Sequence, residues 1–275
     1  MKEYAKQARQ MEPAHLRTPA TPQTHPDEGL IKSFLWGSPK AKTEASQMEV
    51  GFSQRLMRGK YVHAIEFHDV LPSRTADYCQ LINENYGRIK EDKAIGAKLV
   101  GSWRTVIGDL DRYVHIWEYQ GFVGYHNALS TVHTRDWYLP FVQDMRETLR
   151  SRNCHIMQEF GFWGGTSAPH SLGGIFELRS YTLRPGTLLE WEGYWRKGIE
   201  VRRKVMEPVG AWFTQIGPLS HVYHLWQFAD LEQRKLARQK SWELDGWADT
   251  THKTVPLISN MENSILVPLE VSSLK

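Results

Sequence analysis

The sequence predicts an α+β chain: two tandem ferredoxin-like βαββαβ domains packed as an internal pseudo-dimeric α+β barrel. Three observations lead there. Residues 100–119 and 209–228 share nine of twenty positions at a constant offset of 109. The pairs are Val100/Val209, Gly101/Gly210, Trp103/Trp212, Thr105/Thr214, Ile107/Ile216, Gly108/Gly217, Leu110/Leu219, His115/His224 and Trp117/Trp226. Hydrophobic spacing on either side of this block runs in the same order in both copies, alternating in the strands and recurring every three to four residues between them. A stretch rich in glycine and serine, 164–173, separates two segments of nearly equal length. A repeat of this size is too long for a solenoid unit, so each copy reads as a domain.

Residues 1–60 read as a basic, largely disordered N-terminal tail, interrupted by Pro13, Pro19, Pro22, Pro26 and Pro39, with ten Lys/Arg against six Asp/Glu. Its apolar patch, Leu30-Ile31 with Phe34-Leu35-Trp36, is expected to dock on the body or on a partner. The first domain is expected over 61–163, the linker over 164–173 and the second domain over 174–275. Each domain opens with a strand, at about 61–70 and 174–183. A helix follows, at about 73–92 and 187–206. Its apolar stripe is Tyr78, Leu81, Ile82, Tyr86 and Ile89 in the first copy, and Leu188, Trp191, Trp195 and Ile199 in the second. Thr187 with Glu190 suggests a capping box at the second helix. Two strands then meet at tight turns, Gly108-Asp109 and Gly217-Pro218. One helical region per domain (about 122–150 and 230–258) and a last strand (about 152–163 and 261–269) complete the order.

Composition excludes several classes. A chain 41% hydrophobic supports a packed core. No apolar run approaches the ~18 residues that a spanning helix needs. Residues 61–275 carry 24 Lys/Arg and 25 Asp/Glu, so the body is near neutral and nucleic acid is not an expected partner. The best basic run, Arg202-Arg203-Lys204, reads as a solvated helix face. Two cysteines, Cys79 and Cys154, exclude a disulfide scaffold and a four-cysteine zinc site. Both read as buried thiols rather than nucleophiles. There is no phosphate loop, HExxH or G-x-S-x-G. His221/His224 and His126/His133 lack the neighbours that would complete a metal site. No catalytic residue, metal or cofactor is expected.

Strand alternation sorts the side chains onto two faces. One carries Ile65, Phe67, Val114 and Ile116, with Phe176, Leu178, Tyr223 and Leu225 in the second copy. The aliphatic faces are expected beneath the helices. The opposite faces carry Glu66, His68, His115 and Trp117, and Glu177, Arg179, Tyr181, His224 and Trp226. These nine are expected to point into the barrel lumen. There they form either a ligand pocket with aromatic walls, centred on Glu177, Arg179, His224 and Trp226, or a satisfied inter-domain interface.

The segments FELRSYTLRPGTLLEW (176–191), VGAWFTQIGPLSHVYHLWQFADLEQR (209–234), TVPLISNMENSILVPL (254–269) and GLIKSFLWG (29–37) resemble the NIPSNAP family. The first copy is looser, with His68 where the second has Arg179. The resemblance implies tandem dimeric α+β barrel domains, a mitochondrial protein of the matrix, and no established catalysis. It further implies protein partners, namely autophagy receptors and Atg8-like proteins recruited to damaged mitochondria. The N-terminus departs from a transit peptide: Glu3 and Glu12 interrupt Lys2, Lys6, Arg9 and Arg17, and no serine precedes Ser33. Short Atg8-type matches at Tyr86–Ile89, Trp103–Val106 and Phe213–Ile216 fall inside expected helices or strands. The expectation is a non-enzymatic adaptor in mitochondrial quality control with a packed lumen. The alternative is a small-molecule binder or oxygenase-like enzyme with an open one. Peripheral membrane association and homo-oligomerisation are left open.

Overall fold

The structure is a computed structural model that describes residues 57–275. The patch at 30–36 and most of the expected tail lie outside these residues. Eight strands close into one antiparallel barrel. They are β1 (Met57–Val70), β2 (Lys98–Ile107), β3 (Arg112–Tyr119), β4 (Leu149–Phe160), β5 (Ile175–Leu183), β6 (Glu207–Ile216), β7 (His221–Phe228) and β8 (Ile258–Pro268). Around the barrel the order is β1-β3-β2-β8-β5-β7-β6-β4. Each half thus contributes the βαββαβ order expected for it. The halves join where β2 pairs with β8, through Trp103 and Pro268, and where β4 pairs with β6, through Met157 and Thr214. Closure leaves no sheet edge to blunt. β1 starts at Met57, inside the segment expected to be tail.

Among the described residues six α-helices lie outside the barrel: α1 (Thr75–Glu91), α2 (Gly121–Val132), α3 (Tyr138–Thr148), α4 (Leu188–Arg202), α5 (Leu231–Trp242) and α6 (Trp247–Thr254). The single helical region expected in each half is two helices. In the second half Gly246, at φ 90°, marks the break. The capping box at α4 does not form: the Thr187 hydroxyl donates instead to the carbonyl oxygen of Arg184, 2.7 Å away. Among the helices of the described residues only α5 has a side-chain N-cap, Asp230 accepting from the Gln233 amide at 2.7 Å.

The β2–β3 and β6–β7 turns have the same geometry. Gly108 and Gly217 adopt φ 121° and 119°, and three residues on Asp111 and Ser220 adopt φ 63° and 59°. The shared Gly-x-Trp motif has a packing cause. A β-bulge precedes each glycine, and the indole two residues on folds back over it. A Cβ on Gly101 would meet the Trp103 ring at 2.2 Å, and one on Gly210 the Trp212 ring at 2.0 Å.

The faces are the reverse of those expected. The barrel interior holds Ile65, Val114, Ile116, Phe176, Leu178, Tyr223 and Leu225, interleaved with Trp103, Trp212, Met157 and Leu266. Its members are almost fully buried, so the lumen is packed shut. The Glu/Arg/His/Trp faces lie under the helices. Inward side chains at the barrel centre meet only other inward side chains, so that face suits groups with few hydrogen-bonding needs. The polar face instead meets helices whose stripes carry hydroxyls and indoles: Tyr78 and Tyr86 on α1, Trp191 and Trp195 on α4.

Candidate functional site between sheet and helices

The nine expected ligand residues form two separate clusters, one per half, and share no lumen. In the N-terminal half, Glu66 and His68 of β1, Trp117 of β3 and Arg152 and Cys154 of β4 floor a cavity of about 710 Å³. Tyr86 and Ile89 of α1, Tyr125 and Val132 of α2, and Tyr138 and Phe141 of α3 form its walls and roof. That size and mixture of aromatic walls with a few polar groups suit a small-molecule site.

Two polar groups define the floor. The Tyr86 hydroxyl donates to Oε2 of Glu66 at 2.9 Å. Burial pushes the Glu66 carboxyl above its ordinary range, against that hydrogen bond and the charge of Arg152. His68 Nδ1 lies 2.8 Å from the Tyr78 hydroxyl, and its Nε2 is 3.9 Å from Glu66 Oε2. Burial, helped by Arg152, takes His68 down to about 3, so the ring is neutral at physiological pH. His115, expected at the site, stands one step behind. Its Nε2 is 2.7 Å from the same Tyr78 hydroxyl and its Nδ1 is 2.6 Å from Ser102 Oγ. Burial also keeps His115 neutral.

Ser102, His115, Tyr78 and His68 therefore form one chain with two polarities. Tyr78 has a single proton, and each neutral imidazole has one N–H. If Tyr78 donates to His115, His68 donates from Nδ1 and turns a bare Nε2 outward. If Tyr78 donates to His68, Nε2 carries the proton. The chain thus lets His68 accept from or donate to a bound hydroxyl or carbonyl without creating a buried charge.

Cys154 also faces this cavity. It is solvent-exposed, not the buried thiol expected. Desolvation at the cavity floor, then the nearby Glu66 charge, pushes its thiol up to about 12 even though the residue is exposed along its strand. Cys79 is half-buried, and both cysteines are free.

In the C-terminal half the equivalent layer is filled. Trp163, Trp191 and Trp195 surround His224, with Trp195 stacked on it at 4.7 Å and 11°. Trp226 meets Trp163 edge-on, and Trp247 closes over Trp195. His224 is fully buried with no hydrogen-bond partner on either ring nitrogen, and is not the satisfied histidine expected. Burial, with the charges of Arg179 and Arg202, holds it well below the usual range. Glu177 Oε1 accepts from Arg179 at 2.9 Å, Arg234 at 2.7 Å and Asn263 at 2.9 Å. Arg179 also donates to the Tyr181 hydroxyl at 2.6 Å. Burial works to raise Glu177, but the Arg234 hydrogen bond, the Arg179 charge and Asn263 prevail and bring it to about 2. The pocket expected around Glu177, Arg179, His224 and Trp226 is thus occupied by side chains. Of the expected residues, Glu66, His68 and Trp117 line the open space.

Sequence reasoning missed Tyr78, Tyr86, Arg152 and the cavity role of Cys154. The available signal was two hydroxyls in the otherwise apolar stripe of α1. No cluster of metal-ligating residues occurs among the described residues. None of their helices is long and apolar enough to cross a membrane.

The NIPSNAP family profile matches residues 65–162 and 176–273. NipSnap homolog 1 of Danio rerio is 38% identical over 250 residues, covering 90% of this chain and 88% of the relative. NipSnap homolog 2 of Homo sapiens is 38% identical over 215 residues, covering 78% and 75%. Among solved structures, an anthrone oxidase-like protein superposes with a TM-score of 0.55 at 10% identity, covering 80% of this chain and 96% of that one. At that identity the likeness concerns the fold alone. With both halves matched by the profile, the chain belongs to the NIPSNAP family.

Proposed function

We propose that this protein binds a small, largely apolar aromatic molecule between sheet and helices of its N-terminal half. One observation carries the reading. The same layer is filled by indoles in one half and left as a cavity of about 710 Å³, with Glu66 and His68 at its floor, in the other. Aromatic walls favour a flat apolar body, and the His68 chain supplies one hydrogen-bond partner of either polarity. The site lies outside the barrel, so a packed lumen does not count against a ligand.

The test is fluorescence titration of the full chain with N-phenyl-1-naphthylamine, a neutral aromatic probe. Saturable enhancement is expected, and Cys154→Phe, which fills the cavity from its exposed strand, is expected to abolish it. Absence of saturation, or an unchanged titration in the variant, refutes the proposal.

The adaptor role keeps a separate surface. Leu236 and Trp242 of α5 are 54% and 57% exposed. Exposed apolar side chains of this size suit protein contact. We propose them as the contact for autophagy receptors and Atg8-like proteins in mitochondrial quality control, with the protein placed in the mitochondrial matrix. The paired variant Leu236→Glu/Trp242→Glu is expected to lose co-precipitation with an Atg8-like protein while retaining wild-type stability. Retained co-precipitation refutes the surface. Loss of mitochondrial signal from a fluorescent fusion lacking residues 1–50 tests the location.

A further inference from the structure

We infer that the C-terminal half holds an anion site: Arg179 of β5, Arg202 of α4, and Arg234 and Arg238 of α5 converge around one carboxylate, Glu177, and receive a compact oxyanion of the phosphate class. The inference is independent of the N-terminal cavity.

Charge balance is the first argument. Arg179 and Arg234 both spend a donor on Glu177 Oε1. Arg202 and Arg238 make no ion pair among the described residues. The charge of Glu177 acts on both, opposed by the guanidiniums of Arg179 and of their other arginine neighbours. Four guanidiniums against one carboxylate leave three positive charges in a largely buried layer. Buried charge without a counter-ion is costly, and bidentate guanidinium geometry matches phosphate oxygens.

Unmet donors are the second argument. Arg202 is 9% exposed, and its Nε has no partner. Its guanidinium lies 3.7 Å over the Trp247 ring, and Nη1 rests on the Met206 sulfur at 3.1 Å, a weak acceptor. Arg234 Nε is likewise unpartnered. Burial, then the charges of Arg179 and Arg238, bring Arg202 down to about 9. The expectation that Arg202 belongs to a solvated helix face is therefore wrong. It turns inward, whereas its neighbour Arg203 bonds the Trp163 carbonyl and Glu200. The Arg179 and Arg234 side chains retain 18% and 20% of their exposure, so an anion reaches the cluster through those two side chains rather than through the indole-filled space around His224.

The test titrates the full chain with inorganic phosphate against potassium chloride at equal ionic strength, following melting temperature and binding heat. Phosphate is expected to bind saturably and raise the melting temperature beyond the chloride control. Arg238→Gln, at a half-exposed position that tolerates change, is expected to weaken binding roughly tenfold or more. Arg202→Met is expected to remove the response while melting higher than wild type in phosphate-free buffer. Arg203→Gln is expected to behave as wild type. A second arm offers phosphatidylcholine vesicles with and without phosphatidate. Binding there without a response to free phosphate assigns the group to a lipid headgroup, and supports the site if Arg238→Gln abolishes it. No response in either arm, or a response that survives in both Arg238→Gln and Arg202→Met, overturns the inference.

Discussion

Glu177→Gln removes the sole carboxylate among the four arginines, and its cost follows from titration. The folded Glu177 ionises at about 2, against an ordinary value of 4.5. Each unit is worth about 1.4 kcal/mol, so ionised Glu177 contributes roughly 3–4 kcal/mol to stability at neutral pH. A depressed carboxylate contributes above its unfolded pKa and loses the contribution as pH falls through the folded one. The difference between wild type and variant is therefore expected at roughly 3–4 kcal/mol at pH 7, shrinking from about pH 4.5 downward and nearly gone at pH 2. Glu177 is only 1% exposed, so solvent screening does not reduce the figure much. Urea unfolding of both proteins at several pH values between 7 and 3 measures the difference directly. A variant within about 0.5 kcal/mol of wild type at pH 7, or a gap that does not narrow in acid, would falsify the reasoning.

Other perturbations test neighbouring parts of the account. Gly101→Ala and Gly210→Ala put a methyl about 2 Å from an indole ring, and each is expected to cost roughly 1–3 kcal/mol in urea unfolding. Tyr78→Phe leaves His68 Nδ1 and His115 Nε2 without their shared partner, with an expected cost of about 1–3 kcal/mol; an unchanged midpoint would dissolve the chain. Cys154, whose thiol is held at about 12, is expected to alkylate with iodoacetamide at pH 8 far more slowly than a free cysteine, despite its exposure. Mass spectrometry follows the reaction, and a rate equal to that of free cysteine would contradict the placement of its sulfur.

The order of elements was legible because strand alternation, the Gly-x-Trp repeat and a helical stripe are each local signals, and each occurs twice. Gly101/Gly210 and Trp103/Trp212 stand out because bulge and indole form one packing unit. Which face points inward was not legible. Alternation separates Glu66 from Ile65, but only closure of the barrel decides which of them meets a helix. The break between α5 and α6 was hidden because the ELDG stretch of 243–246 is polar enough to pass for an exposed helix face. The open cavity was partly legible. Counted from each helix start, Tyr78, Ile82 and Tyr86 of α1 correspond to Trp191, Trp195 and Ile199 of α4. The first half has no indole on this helix stripe, whereas the second packs two of them around His224. Trp163 reaches that layer from the connecting segment, a long-range contact that no local pattern announces.

The central claim is that the N-terminal half keeps an open ligand cavity between sheet and helices where the C-terminal half packs indoles around His224. Native mass spectrometry of the full chain, purified gently from its own cells beside Cys154→Phe, tests it most directly. The account predicts an added small-molecule mass on wild type that is absent from the variant. Bare protein mass in both, or the same added organic mass in both apart from any phosphate adduct, would contradict it.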